Sequence, residues 1–182
     1  MIRLFVALKI PDEIRKEIFN HCYALAENPL HYRWEAKEKV HLTLKFIGEV
    51  KEEFLQQIID ELEFVKNYSS FDCIVSRFGF FFRDNEARIL WCNLETDESI
   101  ISLVDELNDR LKKYDIEVEK RKFKGHLTLL RIKDRVSEKF IKRFKEYLFD
   151  PINFNANEIV LIQSVLKPSG SEYKVLKIYE LK

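Results

Sequence analysis

The tetrapeptide His-Leu-Thr-Leu occurs twice in this chain, at 41–44 and 126–129, and it constrains the fold more than any other feature. In each half an apolar run and an amphipathic segment precede the tetrapeptide, and a helix and a further strand follow it. A repeated order of elements around a repeated motif indicates a duplicated unit. The sequence therefore predicts one domain of two pseudo-symmetric halves, approximately 1–80 and 86–165, with a last strand at 171–181.

Hydrophobic periodicity predicts the individual elements. In the first half, strands are predicted at 2–9, 40–48 and 71–78, and helices at 11–27 and 52–66. In the second half, strands are predicted at 88–94, 126–132 and 155–163, and helices at 98–113 and 137–148.

The tetrapeptide places chemical groups on one face of each predicted strand. Residues i and i+2 of a strand face the same way, so His41 and Thr43 share a face, and His126 and Thr128 do the same. One imidazole can act as a base while the other, protonated, acts as an acid. Hydroxyl groups can hold phosphoryl oxygens. This set suits attack on a phosphodiester without a metal ion or cofactor.

A structural interpretation of the motif competes with this one. A single copy in a strand is more often structural than catalytic. Two copies in equivalent positions use two of the four histidines, which favours catalysis. The other two, His21 and His31, lack a matching pattern, and we expect them at the surface or at helix ends.

Composition excludes several other classes of protein. The net charge is zero, whereas proteins that neutralise many phosphates along a duplex are strongly basic. There is no P-loop, no GxSxG and no dense Asp/His cluster for a two-metal site. No apolar run is long enough to cross a bilayer, and the first residues resemble a strand rather than a signal peptide. We expect a cytoplasmic monomer.

Two further features concern cysteine and local charge. The cysteines are far apart, so we expect reduced and mostly buried thiols: Cys22, Cys73 and Cys92. Four basic residues precede the second motif: Lys120, Arg121, Lys122 and Lys124. They form either a solvated strand edge or a rim that attracts phosphate, and the sequence favours neither.

The paired motifs resemble the 2H phosphoesterase superfamily, and the surroundings look like its RNA 2′,3′-cyclic phosphodiesterases, also called 2′-5′ RNA ligases. The duplicated motif with its flanks is specific, and the resemblance covers nearly the whole chain. The matching stretches are RLFVALKIP at 3–11, RWEAKEKVHLTLKFIGEV at 33–50, FKGHLTLLR at 123–131 and LIQSVLKPSGSEYKVL at 161–176.

The resemblance implies an α+β fold with two lobes of antiparallel sheet and flanking helices around a central groove. It implies that His41 donates a proton to the leaving O3′ and that His126 activates the attacking water. Thr43 and Thr128 would hold the phosphate oxygens. The substrate would be RNA with a 2′,3′-cyclic phosphate end, such as a tRNA fragment or a nucleotide, and the product would carry a 2′-phosphate.

The resemblance also implies roles for the residues five positions after each histidine. Phe46 would stack on a base, and Arg131 would pair with the phosphate. Strict alternation puts both on the face opposite the histidines. The strands must therefore end or bulge before these residues, or the two assignments are wrong. For Phe46, a place in the core is an equal alternative.

Three other positions bear on the resemblance. Gly125 stands where the family commonly has proline, which suggests a looser backbone before His126. Ser164 and Tyr173 match recurring family positions, and for both we favour structural hydrogen bonding while leaving their roles open.

Two alternatives to hydrolysis follow from the same residues. The first is the reverse reaction, which joins RNA ends, including tRNA halves, through a 2′-5′ bond. The second is a non-catalytic module that binds nucleotides or RNA ends. Water outcompetes an RNA hydroxyl as nucleophile, and a pure binder has no need of two titrating groups, so the sequence favours hydrolysis.

Overall fold

The computed structural model describes residues 1–119, 121–168 and 170–182. The strands are β1 (Ile2–Lys9), β2 (His41–Val50), β3 (Phe71–Val75), β4 (Phe78–Arg83), β5 (Glu86–Asn93), β6 (Glu95–Thr96), β7 (His126–Arg131), β8 (Ile152–Ala156), β9 (Glu158–Lys167) and β10 (Gly170–Glu180). The α-helices are α1 (Asp12–Leu25), α2 (Leu55–Glu61), α3 (Ser99–Leu111) and α4 (Glu138–Glu146). Short 3₁₀ turns include Pro29–His31, Lys37–Lys39, Glu52–Phe54, Leu62–Asn67 and Lys112–Tyr114.

The strands form three antiparallel sheets within the described ranges. Their strand orders are β10-β9-β1-β2, β4-β5-β7 and β6-β3-β8. Both copies of the tetrapeptide begin a strand at the edge of a sheet, β2 in the first sheet and β7 in the second. The expected α+β fold of antiparallel sheets and helices is confirmed.

The sheets β10-β9-β1-β2 and β4-β5-β7, which carry the two motifs and are called the first and second large sheets, each combine strands from both halves of the sequence. β9 comes from the second half and pairs with β1, while β4 comes from the first half and pairs with β5. The expected boundaries at 80 and 165 fall inside these two strands. The repeat is therefore a repeat of element order, and neither half folds into a sheet of its own.

β1 explains why the first apolar run is continuous rather than alternating. Leu4, Val6 and Leu8 pack into the main core, and Phe5 and Ala7 pack into a second cluster on the other face of the sheet. A strand with both faces covered needs no polar positions. The second cluster also contains Val160, Ile162 and the partly buried Tyr173.

The helices and thiols follow the sequence closely. α1 buries Ile14, Ile18 and Cys22 at the predicted helical spacing, and α3 buries Ile100, Val104, Leu107 and Leu111. The three cysteines are free and buried, as expected. Burial raises the pKa of each thiol, so the thiols are unreactive at neutral pH.

Several elements differ from the sequence prediction. The single strand predicted at 155–163 covers the end of β8 and most of β9. The predicted strand at 71–78 is two strands, and β4 runs on to Arg83 before a hairpin turn at Asp84 and Asn85. The helix predicted at 52–66 has 3₁₀ turns at both ends. β2 passes through Gly48, which adopts a φ of +83°, and ends at Val50.

None of the described helices has both the length and the apolar composition needed to span a membrane.

Gly125, directly before the second motif, is held tightly. Its carbonyl accepts the N–H of Leu94 at 3.1 Å, and a Cβ on Gly125 would lie 2.1 Å from the carbonyl oxygen of Leu94. A side chain there has no room because the neighbouring atom is backbone. Glycine at this position allows the backbone of Leu94 to approach closely, and the looser backbone before His126 stays a prediction.

We predict that Gly125→Ala destabilises the fold by about 1–3 kcal/mol, the usual cost of forcing an atom into a packed site. Chemical denaturation monitored by circular dichroism measures this. Lys124→Ala is the matched control, since this exposed neighbour should change the free energy of unfolding by less than about 0.5 kcal/mol. Equal stability of the two variants would contradict the close approach.

Candidate active site

A β-bulge follows the threonine of each motif. Ala7 pairs with Thr43 and Val6 with Lys45, so the residue between them on β2, Leu44, is an extra residue without a partner of its own. One extra residue reverses the alternation of faces beyond it. Lys45 is therefore buried on the core side, and the side chain after it returns to the face of the histidine.

The second motif is built in the same way. Trp91 pairs with Thr128 and Leu90 with Leu130, which leaves Leu129 as the extra residue on β7. Arg131 is consequently on the histidine face, opposite Ile89. Of the alternatives that the sequence left open, a bulge is the one the structure adopts.

His41 is fixed by hydrogen bonds at both ring nitrogens. Nδ1 lies 2.6 Å from the carbonyl oxygen of Lys39, and Nε2 lies 3.1 Å from Oγ1 of Thr43. A carbonyl can only accept, so Nδ1 carries the proton and Nε2 presents a lone pair to the threonine hydroxyl. The nitrogen available for proton transfer is therefore Nε2, next to the hydroxyl predicted to hold phosphate.

His126 has the same orientation relative to its own strand. Its Nδ1 donates to the carbonyl oxygen of Lys124 at 2.9 Å. The ring also meets the edge of Phe81, with centroids 5.0 Å apart. Both imidazoles are partly exposed, so neither is sealed in the interior, and both are held in the tautomer whose Nε2 carries no proton.

The segment before the first motif connects the two large sheets. The N–H of Glu35 donates to the carbonyl oxygen of Leu129 at 2.8 Å, and Trp34 forms a β-bridge with Leu130. β2 and β7 are in contact. The guanidinium Nε of Arg131 donates to Oε1 of Glu35 at 2.9 Å. The two motif strands therefore lie next to each other, and the exposed surface that carries their histidine faces is called the groove.

Arg131 is close enough to His41 for its charge to affect the pKa of the imidazole. The pKa of His41 is lowered to about 4: burial lowers it most, the carbonyl of Lys39 raises it, and the positive charges of Arg131 and Arg15 lower it as well. His41 is thus neutral at pH 7 in the free protein. An anion bound beside His41 would offset the effect of these positive charges, because a nearby negative charge favours the imidazolium.

Aromatic rings surround His41 on its groove face. Phe5 stacks on the imidazole at 4.9 Å, and Tyr173 meets it edge-on at 5.6 Å. Phe46 lies 6.2 Å from Phe5 and is 69% exposed. Phe46 is therefore on the groove and outside the core, in an environment where a base could stack. Tyr173 contributes ring packing, and Lys39 Nζ lies 5.7 Å from its ring centroid.

Three of the four basic residues before the second motif lie at the surface. Lys120 lies outside the described residues. Arg121 is occupied by Glu119, which accepts from Nε at 3.1 Å and from a terminal nitrogen at 3.3 Å. Lys122 and Lys124 are exposed. Whether they form a rim that attracts phosphate stays a prediction.

Several groove residues gave no sequence signal. Glu35, Phe5, Phe81 and Trp91 reach the site only through strand pairing and the approach of the two sheets. Their positions depend on register, which the periodicity of a single strand does not reveal.

Comparison with known proteins identifies the family of this chain. The family model described as LigT like Phosphoesterase matches residues 8–91 and 93–173, one match for each motif. The RNA 2′,3′-cyclic phosphodiesterase of Thermotoga maritima is 31% identical over 96% of this chain and 93% of its own length. That of Methanocaldococcus jannaschii is 31% identical over 97% of this chain and 99% of its own length. The chain belongs to the LigT-like phosphoesterases.

Solved structures show the same fold. A Thermus thermophilus protein superposes with a TM-score of 0.80 at 23% identity, covering 98% of this chain and 97% of its own. Escherichia coli LigT without ligand superposes with a TM-score of 0.77 at 25% identity, covering 100% of this chain and 98% of its own.

The low pKa of His41 predicts a specific dependence of stability on pH. The unfolded chain takes up a proton as the pH falls through about 6.5, whereas the folded protein does so only near 4. The contribution of neutral His41 is complete above pH 6.5 and is lost between 6.5 and 4. It amounts to at most about 3 kcal/mol.

Denaturant unfolding at pH 7 and pH 4 tests this prediction with His41→Asn. Asparagine keeps an N–H donor for the Lys39 carbonyl but does not titrate. The variant should therefore lose less stability on acidification than the wild type. His31→Asn, on the turn at Pro29–His31, is the control and should behave as the wild type does. Identical losses in wild type and His41→Asn would contradict the pKa assignment.

Proposed function

We propose that this protein hydrolyses the 2′,3′-cyclic phosphate at the end of an RNA to a 2′-phosphate, without a metal ion. The pair of imidazoles on neighbouring strands, each in the tautomer whose Nε2 carries no proton, carries the proposal. Relatives from Thermotoga maritima and Methanocaldococcus jannaschii named RNA 2′,3′-cyclic phosphodiesterases support the choice of substrate.

The two histidines have complementary roles in this reaction. His126 accepts a proton from water through Nε2, and the water oxygen forms a bond to phosphorus. The bond from phosphorus to O3′ breaks, and His41 donates a proton to O3′. The products are a 3′-hydroxyl and a 2′-phosphate, and exchange with solvent returns both imidazoles to their starting states.

The low pKa of His41 has a direct consequence for its role as proton donor. The free imidazole is neutral at pH 7, so it must gain a proton before catalysis. The anionic cyclic phosphate supplies the negative charge that favours the imidazolium. Protonation of His41 is therefore linked to substrate binding, and the proton donor is charged only when an anion is present.

The remaining site residues bind the substrate. The hydroxyl of Thr43 is 3.1 Å from Nε2 of His41, and Thr128 occupies the corresponding position in the second motif, so both can donate to phosphoryl oxygens. Arg131 can pair with the phosphate through its terminal nitrogens. Phe46 can stack on the terminal base. Escherichia coli LigT has been crystallised with 3′-AMP and with ATP, which supports a groove for nucleotides.

Replacing either histidine tests the proposal. His41→Asn and His126→Asn should each lower turnover on the order of 10²–10⁴-fold, measured on an oligoribonucleotide with a 2′,3′-cyclic phosphate end in excess chelator. Chromatography of the product should identify the 2′-phosphate.

The matched control is His21→Asn, whose ring bonds to Tyr147 away from the groove; it should retain wild-type turnover. Near-wild-type rates in both motif variants would refute acid–base catalysis by the pair. Loss of wild-type activity in chelator, restored by a divalent ion, would refute the metal-free reaction.

A further inference from the structure

A depression lies at the tip of the β4–β5 hairpin, next to Arg131 on the sheet that carries His126. This depression has a volume of about 480 Å³. Its lining residues are Arg83, Asp84, Arg88, Ile89 and Arg131. Three of the five carry guanidinium groups, and each of these arginines has a carboxylate partner nearby: Asp84, Glu86 and Glu35.

Strand register places the depression on the same face as the second motif. Ile89 pairs with Arg131 on one side and with Phe81 on the other, and Phe81 contacts His126. Arg88 is the extra residue of a bulge in β5. Arg131 lies three residues beyond Thr128, which corresponds to about 10 Å along a strand.

The hairpin tip holds its arginines on a defined backbone. Asp84 and Asn85 have φ values of 51° and 61°, the left-handed pair of a two-residue hairpin turn, which aspartate and asparagine tolerate. Arg83 and Glu86 flank this turn as a paired position of the ladder. The basic groups therefore project from a short turn and not from a long loop.

The existing ion pairs leave donors for a ligand. Arg83 Nε is 3.7 Å from Asp84, beyond hydrogen-bond distance. Arg131 uses only its Nε for Glu35. Arg88 pairs with Glu86 through one terminal nitrogen, and the other is 3.4 Å from the carbonyl of Lys133. In contrast, Arg121 gives two nitrogens to one carboxylate.

Two aromatic side chains, Phe81 and Trp91, lie on the sheet between the depression and His126. Phe81 is 39% exposed and lies 5.4 Å from Trp91. The indole of Trp91 covers Gly79, where an added Cβ would be 2.3 Å from the ring. Rings next to a track of arginines are the usual means of binding single-stranded nucleic acid, since bases stack and the backbone pairs with cations.

We infer that the depression at Arg83 and Arg88 binds the phosphodiester backbone of the RNA strand upstream of its terminal nucleotide. The inference rests on the proposed function, because it extends the substrate of the same groove. It makes an oligoribonucleotide end a better substrate than a mononucleoside 2′,3′-cyclic phosphate, which has no second phosphate to reach the depression.

The test measures KM and kcat/KM of the wild type and of the double variant Arg83→Gln/Arg88→Gln on two substrates. One substrate is adenosine 2′,3′-cyclic phosphate, and the other is a tetraribonucleotide that ends in the same group. The double variant should raise KM for the tetranucleotide about tenfold or more, the usual effect of losing charge-assisted hydrogen bonds. Its kcat/KM for the mononucleotide should be unchanged.

A matched control removes the same charge elsewhere. Arg3→Gln/Lys142→Gln changes two exposed cations, each in an ion pair, on β1 and α4. It should leave both substrates unaffected. For the tetranucleotide, log kcat/KM is plotted against the logarithm of the salt concentration. The slope of this plot should be shallower in the arginine variant by roughly 0.7 for each phosphate that the variant no longer binds.

The outcomes separate the two proposals. A wild type inactive on both substrates refutes the proposed function. A wild type that is active on both, with equal losses for both in the arginine variant, assigns these arginines to the terminal nucleotide and refutes the upstream site. An arginine variant indistinguishable from wild type on the tetranucleotide also refutes it.

Discussion

The bulges after Thr43 and Thr128 are the constraint on which the candidate site depends. Each bulge places a histidine, a threonine and the residue five positions after the histidine on one face of a sheet. The two leucines of each tetrapeptide stay in the core. Without the extra residue, Phe46 and Arg131 would point into the core. A buried arginine would cost several kcal/mol without a partner, so the bulge also makes an arginine acceptable in this strand.

The two carbonyl-to-imidazole hydrogen bonds complete the arrangement. Lys39 and Lys124 contribute backbone oxygens and not charge, so both rings are held without a carboxylate behind them. Burial lowers the pKa of His41, the Lys39 carbonyl raises it, and the charges of Arg131 and Arg15 lower it as well. An anion in the groove would raise it, because a nearby negative charge favours the imidazolium. In the proposed reaction, binding of the anionic substrate and protonation of His41 would therefore be a single event.

Much of this could be predicted from the sequence, because alternation within a strand is a local property. The faces of His41 and Thr43, the buried leucines and the apolar face of α3 all follow from periods of two and 3.6 residues. The remainder depends on pairing between distant segments. The exchange of β4 and β9 between sheets, the contact of Glu35 with Arg131 and the close approach at Gly125 involve residues far apart in the chain.

The central claim is that two imidazoles act on one phosphorus. It is tested most directly by a crystal structure with a ribonucleoside 2′,3′-cyclic vanadate, whose trigonal-bipyramidal metal centre imitates the transition state. The account predicts Nε2 of His41 at about 3 Å from the 3′-oxygen and Nε2 of His126 at a similar distance from the opposite apical oxygen. A vanadate bound by only one imidazole, with the other ring turned away, would contradict it.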